Sequence, residues 1–223
     1  MSRIAQQIKD ITASLPDGVR LVAVSKFHPV EALQEAYNAG QRVFGESREQ
    51  EVAKKHPQMP DDVEWHFIGH LQTNKVRKVV SYVSLIHSVD SVKLLEYIDE
   101  EAKRIGRVVD VLLQLHVAKE ETKFGFTREE CVRLVDIGAF DKLNNVRVCG
   151  VMGMATNTYD KELIRHEFKQ IKIIFDILKT GCFSDKSYFK EVSMGMSDDY
   201  RIAIEEGSTL IRIGSTIFGS RGY

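Results

Sequence analysis

Two widely separated stretches carry residues that could do chemistry together. Leu21-Val22-Ala23-Val24-Ser25-Lys26 is a short apolar run that ends on a lysine, and Pro29, three residues later, is placed to start a helix. Desolvation at the end of an apolar strand lowers a lysine's pKa toward the neutral amine, the form that attacks an aldehyde. Near the other end, Ile211-Arg212-Ile213-Gly214-Ser215-Thr216-Ile217-Phe218-Gly219 reads as a strand running into a glycine and two hydroxyl residues, then a short helical turn. Exposed amides at such a helix start attract phosphate. Gly214 admits close backbone approach, and Ser193 and Ser215 offer hydroxyl donors. Each signal alone has an ordinary reading, as a loop lysine or a simple turn. An amine facing a phosphate cradle, however, fits a phosphorylated aldehyde bound as a Schiff base.

For these stretches to face one another, the chain between them must bring strand ends together. Apolar or β-branched runs recur at about 20–25, 42–45, 64–69, 85–89, 109–117, 146–152, 188–194 and 209–214. Helical patterns fill the gaps. Residues 29–39 run from Pro29 to a stop at Gly40, with Ala32, Leu33, Ala36 and Tyr37 on one side; 91–105 carry Leu94, Leu95, Ile98, Ala102 and Ile105 before Gly106. Residues 160–180 carry Leu163, Ile164, Phe168, Ile171, Phe175 and Leu178 before Gly181. Ser197 reads as an N-cap, with Asp198 and Asp199 in the first turn and Gly207 as the stop.

Eight strands alternating with helices imply parallel strands joined by right-handed crossovers, and eight is the number that closes a TIM-type (β/α)8 barrel. Only a few residues follow the eighth strand, too few for a full eighth helix. The segment 2–15, with Ile4, Ile8, Ile11 and Leu15 at helical spacing, is expected to fill that place in the outer ring. The expectation is therefore an α/β chain forming one barrel domain over 1–223, with an open doubly wound sheet as the rival. In a barrel, function sits at the carboxyl ends of the strands, and phosphate often binds after strands seven and eight. Arg212 lies two residues before Gly214, so the strand period of two points it inward if Gly214 lines the mouth.

Composition narrows the classes. The 223 residues carry a formal net charge of -1, which makes no case for nucleic acid or an anionic membrane. No run approaches ~18 apolar residues and the N-terminus is polar, so neither a membrane span nor a secretory signal is expected. Cys131, Cys149 and Cys182 are odd in number and form no C-x-x-C pair, which reads as free thiols in a reducing, cytoplasmic setting. His66 and His70 share a strand face at i, i+4, but no further ligand cluster at the strand ends completes a metal site. His28, His87, His116 and His166 read as ordinary histidines, and Lys75, Arg77 and Lys78 as a solvated helix face.

The residues resemble the pyridoxal phosphate homeostasis proteins, which are related to the N-terminal barrel of alanine racemase. The resemblance spans nearly the whole chain. It is carried by Val22-Ala23-Val24-Ser25-Lys26, Phe44-Gly45-Glu46, Trp65-His66-Phe67-Ile68-Gly69-His70-Leu71-Gln72-Thr73-Asn74-Lys75 and Gly150-Val151-Met152. Ser193-Met194-Gly195-Met196-Ser197-Asp198-Asp199 and Arg212 through Gly219 continue it. The resemblance implies a barrel with pyridoxal 5'-phosphate on Lys26, phosphate contacts at Ser193, Gly214 and Ser215, and Arg212 at the pyridine nitrogen. A guanidinium there opposes protonation of that nitrogen and leaves the ring a poorer electron sink. Members of the family are taken to manage vitamin B6 supply rather than to turn over a substrate. Pyridoxal-phosphate-dependent apoenzymes are then the candidate partners. One departure is Ser47, where the family usually has asparagine; Ser47, Asn74 and Lys75 are left without an assigned contact.

Two other classes stay open. An amino-acid racemase on this barrel would need a second acid/base, and alanine racemase builds its site with a second domain; Tyr223 reads as a frayed terminus rather than that base. The lack of that domain also favours a monomer. A Schiff-base aldolase could instead use Lys26 and bind a substrate phosphate at Gly214 and Ser215.

Overall fold

The computed structural model describes residues 2–119 and 124–219; Lys123 and Tyr223 lie outside them. Eight strands form a closed barrel in simple sequence order, β1 (Arg20–Val24), β2 (Val43–Glu46), β3 (Glu64–Phe67), β4 (Leu85–Val89), β5 (Val109–Leu115), β6 (Val146–Gly153), β7 (Glu191–Ser193) and β8 (Leu210–Ile213). All neighbouring pairs are parallel, and β8 closes onto β1 with Arg212 opposite Val22. Closure rules out the open sheet, and each expected strand is present.

Strand alternation divides the interior from the outer layer. Val22, Val43, Leu85, Leu112, Cys149, Met152 and Leu210 form one apolar cluster inside the barrel. Their strand neighbours Leu21, Ala23, Phe44, Trp65, Ile86, Val111, Ile211 and Ile213 join the larger core between barrel and helices. Arg212 therefore points inward from β8, between two outward isoleucines, as the period of two requires.

The outer layer follows the helical stripes. Helix α1 (Arg3–Ser14) starts at an N-cap on Ser2, whose hydroxyl accepts from the Ala5 amide, and buries Ile8 and Ile11. It packs on α2 (Val30–Asn38) and on the short α9 (Ser215–Phe218), so it occupies the outer-ring place after β8. Pro29 serves as the N-cap of α2, and Gly40 takes φ +108 beyond its end. Helix α5 (Val92–Arg104) buries Leu94, Leu95, Ile98 and Ala102, while Ile105 falls on its C-cap and is exposed. Helix α7 (Lys161–Thr180) buries Ile164, Phe168, Ile171, Phe175 and Leu178, with Asp160 as a side-chain N-cap. Between these lie α3 (Glu49–Lys55), α4 (Val76–Tyr82) and α6 (Arg128–Asp136), all short.

One cap differs from expectation. Helix α8 spans Tyr200–Glu205 with Asp199 as its N-cap, two residues later than a cap at Ser197 implies. The Asp199 carboxylate accepts from the Met196 amide and closes a tight turn over 196–199. The Ser197 hydroxyl is thereby left facing α9. Among the described residues no helix is long and apolar enough to cross a membrane.

Candidate functional site

β1 delivers Lys26 to the barrel mouth, and the turn that follows holds it there. Phe27 takes φ +68, a left-handed conformation uncommon for a residue with a side chain. Its amide is held at 2.7 Å by the Glu51 carboxylate. Glu51 in turn accepts from Lys55 at 2.8 Å, and Lys55 also donates to Glu46 at 2.7 Å and to the Ser25 carbonyl at 2.9 Å. The Ser25 hydroxyl donates to Glu46 at 2.7 Å. Ser25, Glu46 and Lys55 are all buried, so the base of the lysine loop is an ionic cluster inside the core rather than a flexible surface turn. Burial pushes the Glu46 carboxyl up against the pull of Lys55. Burial acts upward on Glu51 as well, but bonds from Lys55 and the Phe27 amide leave it below the ordinary value.

Opposite Lys26, β8 supplies Arg212 and Gly214. Arg212 is buried, and that burial pulls its pKa down to about 10 against the field of Asp199, so it remains a cation at neutral pH. Its Nη1 donates to Ser193 Oγ at 2.6 Å and its Nη2 to the Gly153 carbonyl at 3.1 Å. Ser193 Oγ lies 2.9 Å from His87 Nδ1, and His87 Nε2 lies 3.0 Å from His66 Nδ1. A polar column thus descends the barrel interior from β8 through β7 and β4 to β3. Burial is the first cause holding both histidines neutral. It takes His66 down to about 3, with Arg20 assisting, and takes His87 well below its ordinary value. The column ends near an ionic floor, where Arg20 pairs with Glu191 at 3.0 Å and Glu64 at 3.5 Å.

The two sides enclose a cavity of about 290 Å³, lined by Val24, Lys26, His28, Ile68, Met154, Met196, Ser197, Asp198, Arg212, Gly214, Ser215 and Gly219. That is the low end of the ~300–1,000 Å³ typical of small-molecule sites, a size suited to one substituted ring. Ser215 Oγ and Ser197 Oγ are 3.0 Å apart at the start of α9. Gly214 presses on the strand that ends at Lys26: a Cβ there would lie 3.1 Å from the Val24 carbonyl oxygen and 3.2 Å from Val24 Cβ. Val24, Ile68 and Met154 give apolar walls. An amine, paired hydroxyls, a guanidinium and apolar walls around one cavity form a donor set that fits a phosphorylated pyridine aldehyde.

Four of the five site residues expected from the sequence, Lys26, Arg212, Gly214 and Ser215, line this one cavity. Ser193 does not. Its hydroxyl is wholly buried beneath Arg212, bonded to the guanidinium and adjoining His87, and it is absent from the cavity wall. The serine at the mouth is Ser197, one turn further on. The reading of Ser197 as a helix cap hid this, although its place in the Gly195-Met196-Ser197 turn was a usable signal. Ser47 and Lys75 line a separate depression, where Lys75 pairs with Glu49 at 3.0 Å, and Asn74 is exposed. His66 and His70 do not meet as a pair: His66 is in the barrel, while His70 is half-exposed in the loop beyond β3, 3.2 Å from Asp90. Among the described residues no three His, Cys, Asp or Glu side chains are grouped to hold a metal.

The family described as alanine racemase, N-terminal domain, matches residues 1–222. A protein of Aquifex aeolicus named pyridoxal phosphate homeostasis protein is 38% identical over 230 residues, covering 100% of this chain and 97% of that one. A protein of the same name from Schizosaccharomyces pombe is 40% identical over 205 residues, covering 91% of this chain and 84% of that one. Among solved structures, PipY of Synechococcus elongatus PCC7942 without PLP superposes with a TM-score of 0.90 at 36% identity, covering 97% of this chain and 100% of that one. The same protein with PLP bound gives 0.86. Alanine racemase of Clostridium difficile 630 shares the fold, at a TM-score of 0.80 and 15% identity over 98% of this chain and 56% of that one.

Proposed function

Because this chain belongs to the alanine racemase N-terminal domain family, alongside the pyridoxal phosphate homeostasis proteins, we propose that it holds pyridoxal 5'-phosphate covalently on Lys26 and serves the cell's supply of that cofactor, without a dedicated reaction of its own. The observation that carries the reading is the mouth cavity, where the Lys26 amine and the Ser197–Ser215 hydroxyl pair share one wall-to-wall space with Arg212. PipY, at 36% identity, has a structure described as having PLP bound, which supports the cofactor assignment.

Each residue has a distinct part. Lys26 anchors the aldehyde carbon. The Ser215 and Ser197 hydroxyls, with the first-turn amides of α9 that have no intrahelical acceptor, receive the phosphate. Gly214 keeps that turn against β1. Ser193 is assigned beneath Arg212 rather than to the phosphate, and Arg212 faces the pyridine nitrogen. When bound, the cofactor supplies an electron sink, and a guanidinium at its ring nitrogen weakens that sink by opposing protonation. This is why we assign binding and delivery, rather than turnover, to the site.

We further assign the protein to the cytoplasm, as a monomer that yields its cofactor to apoenzymes. The buried thiols of Cys131 and Cys149, pushed by burial up to about 12, are unreactive and compatible with a reducing compartment. The test is a panel of amino acids assayed for racemisation, transamination and decarboxylation with the loaded protein, beside free pyridoxal phosphate and Lys26→Ala. Rates at the free-cofactor background, with transfer of the cofactor to an apoenzyme, support the carrier reading. A Lys26-dependent rate well above background for any amino acid would make the protein an enzyme.

A further inference from the structure

Arg212 is a pure donor, since a guanidinium has no lone pair to offer. Its contact with Ser193 therefore runs one way, from Nη1–H to Oγ at 2.6 Å. The single Ser193 proton is then free for His87 Nδ1 at 2.9 Å. With Nδ1 accepting, a neutral His87 carries its proton on Nε2, and 3.0 Å away is His66 Nδ1, which must accept it. Each link fixes the next, so the polarity of the column is set at its upper end by a charge that cannot reverse. The alternative places the His87 proton on Nδ1. Ser193 Oγ would then accept from both Arg212 and His87, its own proton would need another acceptor, and His87 Nε2 and His66 Nδ1 would meet as two lone pairs unless His66 also changed tautomer.

We propose that His87 is a positioning residue for Arg212: by accepting the Ser193 hydroxyl proton it keeps Ser193 Oγ turned toward the guanidinium, and so fixes how Arg212 presents its remaining donors to the mouth. The proposal rests on the reading that Arg212 meets the cofactor ring, but the column itself does not depend on a bound cofactor. His87 touches neither the cavity nor Lys26; its whole effect passes through Ser193. The groups facing it are Ser193 from β7, Arg212 from β8 and His66 from β3, with Arg20 of β1 acting from below. Because the ring is buried among cations and another imidazole, it is held neutral over the whole working range of pH.

Two experiments test this. In the cofactor-free protein carrying ¹⁵N-labelled histidine, assigned with His87→Asn and His66→Gln, His87 Nδ1 is expected to resonate as an unprotonated ring nitrogen and Nε2 as a protonated one. His66 is expected to show the same tautomer, and neither ring should titrate between pH 5 and 9. A protonated His87 Nδ1, or a midpoint near the ordinary histidine value, overturns the proposal whether or not pyridoxal phosphate binds. In the loaded protein, His87→Phe removes the acceptor and is expected to weaken cofactor retention about tenfold, the size of one lost hydrogen bond, and to alter the pH profile of the visible band. His87→Asn, whose Oδ1 falls on the Nδ1 side, should restore most of both. In an Arg212→Leu background, His87→Phe should have no further effect. Equal losses in Phe and Asn variants, or an undiminished effect without Arg212, overturn it. Wild-type protein that takes up no cofactor defeats the proposed function, while the resonance measurement still decides the tautomer.

Discussion

Replacing Lys55 with methionine tests how the Lys26 loop is held. Lys55 Nζ makes three contacts, two of them buried, to Glu46 at 2.7 Å and the Ser25 carbonyl at 2.9 Å, and a part-buried one to Glu51 at 2.8 Å. Methionine fills the space but leaves Glu46 a buried carboxyl whose Oε2 already has no hydrogen-bond partner, with only the Ser25 hydroxyl at its other oxygen. Breaking one partner of a buried ion pair costs about 3–5 kcal/mol, a large share of the ~5–15 kcal/mol that holds a typical domain folded. With a urea m-value of ~2–3 kcal/mol/M, the midpoint should fall by roughly 1–2.5 M without a change in m. The pH dependence has a definite sign. Burial already raises the Glu46 pKa, and loss of Lys55 raises it further. The variant's penalty is therefore largest where Glu46 must be ionised, and it shrinks as the pH falls below that group's folded-state pKa. Glu46→Gln in the same chain removes the stranded charge and should recover much of the loss. The assay is equilibrium urea unfolding of the four proteins of this cycle at pH 8 and pH 5.5. A Lys55→Met cost below ~1 kcal/mol, or strict additivity with Glu46→Gln, would refute the buried-cluster reasoning.

Other consequences follow from the same contacts. His66 has its pKa lowered to about 3, with burial the first cause, whereas an unfolded chain binds that proton below ~6.5. Stability is therefore complete above that value and is lost as pH falls from it toward 3, with a limiting slope of ~1.4 kcal/mol per pH unit. His66→Gln with His87→Asn should flatten the pH 5.5–6.5 part of a urea-midpoint titration. Ser197→Ala and Ser215→Ala should each weaken cofactor retention by ~10-fold or more, since a hydrogen bond to a charged group is worth ~1.5–3 kcal/mol; unchanged retention in equilibrium dialysis would remove that hydroxyl from the cradle. Gly195→Ala should destabilise the turn after β7 by ~1–3 kcal/mol, because Gly195 takes φ +94 and a Cβ there would fall 2.6 Å from Ala203 Cβ. Thermal unfolding within 1 °C of wild type would contradict that packing.

The barrel was legible because its signals are local and repeated. Apolar runs, helical stripes on α1, α5 and α7, and glycine stops each specify one element, and their alternation fixes the order of the sheet. Lys26, Gly214 and Ser215 were legible because each lies at a strand end, where alternation and chain order suffice to place it. What remained hidden depends on contacts between distant segments. Nothing near Ser193 announces that its hydroxyl meets His87, which is 106 residues away. Nor does a helix as short as α3 advertise that Lys55 reaches under β1 to the Ser25 carbonyl. Ser197 was misplaced because a serine before two aspartates matches a helix cap, while the chain uses Asp199 for the turn and spends the serine on Ser215.

The central claim is that one lysine holds the cofactor, and it is tested most directly by locating the bond. Protein incubated with pyridoxal 5'-phosphate, reduced with borohydride and digested should carry the label on the peptide containing Lys26 and on no other, with the visible band lost on reduction. Lys26→Ala should leave the protein colourless and unlabelled. A label on Lys55, Lys75 or Lys123, or an unchanged yield in Lys26→Ala, would contradict the site built here from β1, β8 and the turn after β7.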